Sequence, residues 1–160
     1  MIDAIDQAAG LSPDDALYQT RRFRPEFVQG AEQCRQSVLQ PENDAGLAHE
    51  LRIALARRIA LLNNDRPLIA EYDALLAALS PGEQLLALAN GENGLSGLFA
   101  TLARHVDFIT LSPDRARAED IRLLEQAGLN NAQIVALSEL IAFINFQTRV
   151  AAGLRLMRSA

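Results

Sequence analysis

Apolar residues recur along most of this chain at steps of three and four, the spacing of one face of an α-helix. The pattern predicts helices over 2–9, 13–22, 25–39, 45–63, 66–79, 81–90, 97–108, 114–127 and 131–158. Runs in which β-branched residues alternate with polar ones are absent, so the expected fold class is all-α. The last segment carries the strongest signal: Ile134, Leu137, Ile141, Ile144, Thr148, Ala151 and Leu154 share one face. Val135, Leu140, Phe143 and Phe146 widen it, which predicts a long, largely buried helix packed on 45–63. Phe143 and Phe146, off the main stripe, and Leu154 near its end are the candidates for contact with a second subunit.

Local punctuation supports these limits. Three Ser-Pro steps, at Ser12, Ser80 and Ser112, have the form of helix starts, because serine caps a free N–H and proline occupies a position with no N–H partner to lose. Ser80 and Glu83 have capping-box spacing, and Asn130 with Gln133 is placed to cap the last helix. Gly10, Gly91 and Gly128 each follow an apolar run, where a left-handed residue would end a helix.

The segment from Gly46 to Asn63 can be laid on Gly128 to Asn145 without a gap. Ile53-Ala54-Leu55 falls on Val135-Ala136-Leu137, Ile59-Ala60 on Ile141-Ala142, and Leu62-Asn63 on Ile144-Asn145. A duplicated helical core would account for this echo.

Composition narrows the function classes. The 160 residues are 49% hydrophobic and 22% charged, the make-up of a packed domain and not of a disordered chain. Net charge is −5 and every one of the fifteen cations is arginine, which argues against nucleic acid as a partner. The single cysteine, Cys34, excludes an intramolecular disulfide, a CxxC pair and a multi-cysteine zinc site, so no metal or cofactor is expected. The acidic start Met1-Ile2-Asp3-Ala4-Ile5-Asp6 does not resemble a secretory signal, and no stretch approaches about 18 uncharged residues. A cytoplasmic protein without membrane partners is the expectation.

The stretch Ala127-Gly128-Leu129-Asn130-Asn131-Ala132-Gln133-Ile134-Val135, followed by Glu139 to Leu154 with its Asn145-Phe146-Gln147-Thr148-Arg149-Val150-Ala151-Ala152-Gly153-Leu154 ending, resembles the alkylhydroperoxidase D-like and carboxymuconolactone decarboxylase-like superfamily, in particular its peroxidase-related branch. Leu47 to Leu79 resembles the core helical hairpin of that superfamily. The resemblance implies an alkylhydroperoxidase D-like helical bundle over 45–160, with 1–44 as an N-terminal extension of the same domain, and a homo-oligomer whose protomers exchange helical contacts. It further implies, in peroxidatic members, a Cys-x-x-Cys-x-x-x-His motif opening the second helix of the hairpin, with a glutamate one helix earlier. A thiolate there is stabilised by free N–H groups and the macrodipole. Here the corresponding turn is Asn63-Asn64-Asp65-Arg66-Pro67-Leu68-Ile69-Ala70-Glu71-Tyr72. One register sets Asn64, Pro67 and Glu71 at the Cys, Cys and His positions; the next sets Asp65, Leu68 and Tyr72. Neither supplies a thiol or an imidazole.

The remaining candidates are Glu50, His49 and Arg149 for catalysis, and Asn63, Tyr72, Asn145 and Arg149 for binding a small anionic or carbonyl-bearing ligand. Arg149, on a rod that is otherwise apolar, is expected to be buried and partnered, within a network that includes Glu50, Arg57, Arg58 and Glu139. Two functions follow. One is a non-peroxidatic, oligomeric binding or assembly protein, associated with antioxidant systems through its relatives. The other is a cysteine-independent, decarboxylase-like enzyme for a small carbonyl, carboxylate or peroxide substrate. Convergence of Glu50, His49 and Arg149 on a cavity would favour the enzyme; a packed site would favour the first.

Overall fold

The computed structural model describes residues 1–159, and among these every regular element is helical: α1 (Ala4–Ala9), α2 (Ala16–Arg21), α3 (Pro25–Leu39), α4 (His49–Leu62), α5 (Arg66–Ala78), α6 (Glu83–Ala89), α7 (Gly97–Leu111), a 3-10 turn at Pro113–Arg115, α8 (Ala118–Gln126) and α9 (Asn131–Ser159). The all-α expectation holds.

α4 is the hub. Ile53, Leu55 and Ile59 are fully buried, and each contributes about 1.5–3 kcal/mol of apolar burial. Ala54, Ala56 and Ala60, also fully buried, let neighbours approach closely on the remaining sides. α3, α5, α6, α7 and α9 all pack against it. Gly46 approaches the Gln133 side chain and Asn63 meets Asn145, so α4 runs parallel to the first half of α9. A second, smaller core gathers Ile5, Ala9, Leu11, Tyr18, Ala31 and Leu154, tying the N-terminal helices to the end of α9.

Two buried arginines fasten the hub. Arg52 donates to the carbonyls of Leu47, Val38 and Asp44 at 2.7, 2.9 and 2.7 Å, closing the α3–α4 connection over the core. Arg58 forks onto Asp107 of α7 with two 2.6 Å bonds and reaches the Leu88 carbonyl at 3.0 Å. The guanidinium's rigid fork of five donors reaches acceptors on separate segments and grips a carboxylate with two bonds, which the compact ammonium of a lysine does not match.

The stops at Gly10, Gly91 and Gly128 hold, all with positive φ, and Asn130 and Gln133 cap α9 reciprocally at 2.9 Å. The Ser-Pro starts do not. Ser12 donates its N–H to Asp15 at 2.7 Å in a turn, and Asp15 takes the cap position one turn later than expected. Ser80 has φ +51°, a left-handed residue after α5 and not a cap for α6, so the Ser80–Glu83 box does not form. Ser112 ends α7 by donating to the Phe108 carbonyl, and α8 begins only after the 3-10 turn.

α9 is long and apolar enough by composition to cross a membrane, with mean hydropathy 1.3 in its most apolar window, and 56% of that window is buried inside the protein. Phe143 and Leu154 are covered by their own chain, at 8% and 9% exposure. Of the three residues expected at a subunit contact, only Phe146 is open, at 45%.

Candidate functional site

The start of α5 is where the resembled superfamily would carry its thiols. α4 cannot continue through this turn, because Asn64 has φ +54° and Pro67 stands at the second position of α5. Asp65 caps the new helix, accepting the Leu68 N–H at 3.2 Å. Its side chain is 1% exposed and pairs at 2.6 Å with Arg155 of α9, which also donates to the Ala8 carbonyl of α1 at 2.8 Å. The positive end of α5 is thus occupied by the chain's own carboxylate, itself neutralised by an arginine. Outside it lies a cleft of about 460 Å³ bordered by Gly10, Pro67, Arg155 and Arg158.

One turn further, Tyr72 is fully buried and donates to Gln147 Oε1 of α9 at 2.6 Å. Burial pushes its phenol far above the ordinary value, so it is neutral and a fixed donor. Gln147 is equally buried, and its Nε2 has no partner among the described residues. Sequence reasoning missed both Gln147 and Asp65. The nearest signal was the Asx residue before Pro67, which is a helix-start signature.

On a neighbouring face of α5, Glu71 pairs with Arg35 of α3. Burial raises the Glu71 carboxyl despite that guanidinium. Glu71 and Tyr72, the alternatives for the histidine position, therefore serve two different contacts: an ion pair to α3 and a hydrogen bond to α9.

Asn63 and Asn145 are brought together. Asn63 Nδ2 donates to Asn145 Oδ1 at 3.0 Å, and Asn145 Nδ2 lies 3.4 Å from Thr110 Oγ1. Each amide also donates at 3.0 Å to the carbonyl four residues earlier, Ile59 in one case and Ile141 in the other. Those two isoleucines are matched in the sequence echo, so the echo has a physical counterpart in the fold.

The other candidates stay apart. His49 Nδ1 bonds the Leu39 carbonyl at 2.7 Å, a strap between α3 and α4. Glu50 is exposed and borders an open depression with Leu79, Pro81 and Phe99. Arg149 is exposed, contrary to the expectation of a buried, partnered arginine, because α9 turns that face away from α4. Glu139 is exposed as well, and Arg57 pairs with Asp73 of α5 instead of joining it. Glu50 lies near the start of α4 and Arg149 beyond the Asn63 end, about 25 Å away along the helices. Cys34 is exposed on α3.

No family model matches the chain, and no curated protein matches it. Among solved structures, the fold is similar to that of an uncharacterized peroxidase-related protein from Silicibacter sp. TM1040, with TM-score 0.71 and 18% sequence identity, over 95% of this chain and 79% of that one.

Proposed function

We propose that this protein is a non-peroxidatic relative of the alkylhydroperoxidase D-like and carboxymuconolactone decarboxylase-like proteins, acting as a homo-oligomeric binding or assembly protein. The observation that carries the proposal is the occupant of the α5 start. Where dithiol chemistry would need an exposed thiolate and a proton relay, Asp65 is buried against Arg155, and Tyr72 is locked to Gln147. The similarity of fold to a peroxidase-related protein supports the kinship. The separation of His49, Glu50 and Arg149 argues against a cysteine-independent active site built from them.

The test is hydroperoxide consumption with a dithiol reductant, for the wild type and for Cys34→Ser. Thiol turnover needs an attacking thiolate and a second thiol to resolve the sulfenic acid, and Cys34 has no second cysteine in the chain. Both proteins are expected at the buffer rate. Turnover in the wild type that is lost in Cys34→Ser would place peroxidase chemistry at Cys34 and overturn the proposal. Equal turnover in both would overturn it in favour of a non-thiol enzyme.

A further inference from the structure

α9 carries a second stripe besides its buried one. Opposite the fully buried Ile144, the positions from Ala132 to Leu156 that recur at alternating steps of three and four all face outward. Val135, Phe146 and Leu156 are 56%, 45% and 72% exposed on this face, and Glu139, Ala142 and Arg149 are exposed between them. These positions form a seam along one side of the helix, on which Val135, Phe146 and Leu156 are large apolar side chains left in water, separated by small residues and by one acid and one base.

The seam is self-complementary in one orientation. In an antiparallel pair centred on Ile144, Glu139 faces the partner's Arg149, an acid against a base. Ala142 faces the partner's Phe146, Val135 the partner's Gly153 and Ala132 the partner's Leu156, in each case a small residue against a large one. A Cβ at Gly153 would touch nothing in its own chain, so this notch is open. A parallel pair would instead set Glu139 on Glu139 and Arg149 on Arg149, and would leave Gly153 opposite itself, with like charges and a void in the seam.

The flank of the seam fits the same occupant. Phe27, Gly30 and Cys34 of α3 form, with Ala142, Phe143 and Phe146, an open, mostly apolar groove of about 610 Å³. The partner's Phe146, placed over Ala142, enters at its edge. We propose that the exposed face of α9 is a two-fold interface, on which a second copy of this chain packs its own α9 antiparallel. This rests on the oligomeric reading above and specifies its surface, its register and its ion pairs.

The decisive measurements are sedimentation equilibrium and light scattering at micromolar concentration, with circular dichroism confirming that every variant is folded. The wild type is expected at twice the 17.4 kDa chain mass or a higher even multiple. Glu139→Arg and Arg149→Glu should each weaken the dimer at least about tenfold, and the double variant, which restores opposite charges across the two-fold, should regain most of that affinity. Phe146→Glu should abolish this contact. Alkylation of Cys34 by a maleimide should be slower in the dimeric wild type than in Phe146→Glu. An oligomer unaffected by Phe146→Glu, with no rescue in the double charge reversal, would overturn the α9 interface while leaving oligomerisation standing. A wild type of 17 to 18 kDa would overturn both.

Discussion

α4 and the first half of α9 start alike and end differently. Both follow a glycine in the left-handed region, both present the same apolar spacing, and both arrive at an asparagine whose amide bonds the carbonyl four residues back. After Asn63 the chain meets Asn64, Asp65 and Pro67 and must turn into α5. After Asn145 it meets Phe146, Gln147 and Thr148, none of which breaks a helix, and α9 runs on to Ser159. The extra length reaches past the end of α4 and delivers Gln147 to the buried Tyr72 of α5 and Arg155 to the buried Asp65 of the α4–α5 turn. The difference between the two halves therefore places a buried, ion-paired carboxylate at the start of α5. One half makes a helix start with a buried acid, and the other supplies the base that neutralises it.

Breaking that exchange should have the largest effect. Arg155→Met leaves Asp65 buried without its cation, and the expected loss is about 3 kcal/mol, toward the low end for a buried pair because Arg155 is one-third exposed. Combining it with Asp65→Asn should recover a good part of the loss, read by urea denaturation of the single and double variants. Full additivity in that cycle would mean that the two side chains do not communicate.

The point at which the halves still agree should be less costly to cut. Asn145→Ala removes the bond to Asn63 and leaves that amide oxygen and nitrogen to the remaining neighbours, for about 1–2 kcal/mol. Asn63→Ala should cost a similar amount, and the cycle between them should show a coupling of about 0.5–1.5 kcal/mol, the mark of a direct contact across the echo.

A smaller, pH-dependent effect comes from α7, the helix that packs on both halves. Burial holds His105 below its ordinary value, with Asp120 opposing and Arg104 adding to the shift, and its Nδ1 has no partner among the described residues. The folded protein therefore keeps this ring neutral while the unfolded chain takes up the proton near pH 6.5. Stability from this group is complete above that pH and declines as pH falls toward the lower folded value. Denaturation midpoints at pH 7.5 and 5.5 should differ more in the wild type than in His105→Gln.

The helices and their breaks were legible in the sequence because they depend on neighbours within a turn or two: apolar periodicity, Pro67, and the left-handed glycines Gly10, Gly91 and Gly128. The Ser-Pro signals misled for a related reason. Ser80 can cap a following helix or terminate a preceding one, and the choice depends on how α5 and α6 meet. The absence of the dithiol motif was likewise plain from residue identity. Arg149, however, looked buried because α9 is apolar around most of its circumference, and whether a given face is covered depends on which helices arrive there. The sequence by itself determined where this chain is helical, where it must turn, and that it lacks paired thiols. Only the tertiary structure decided that Asp65 meets Arg155 ninety positions away, that Tyr72 meets Gln147, and that the Glu139–Arg149 face of α9 is left open, because burial and ion pairing at such separations are set by the packing of whole helices and not by any local run of residues.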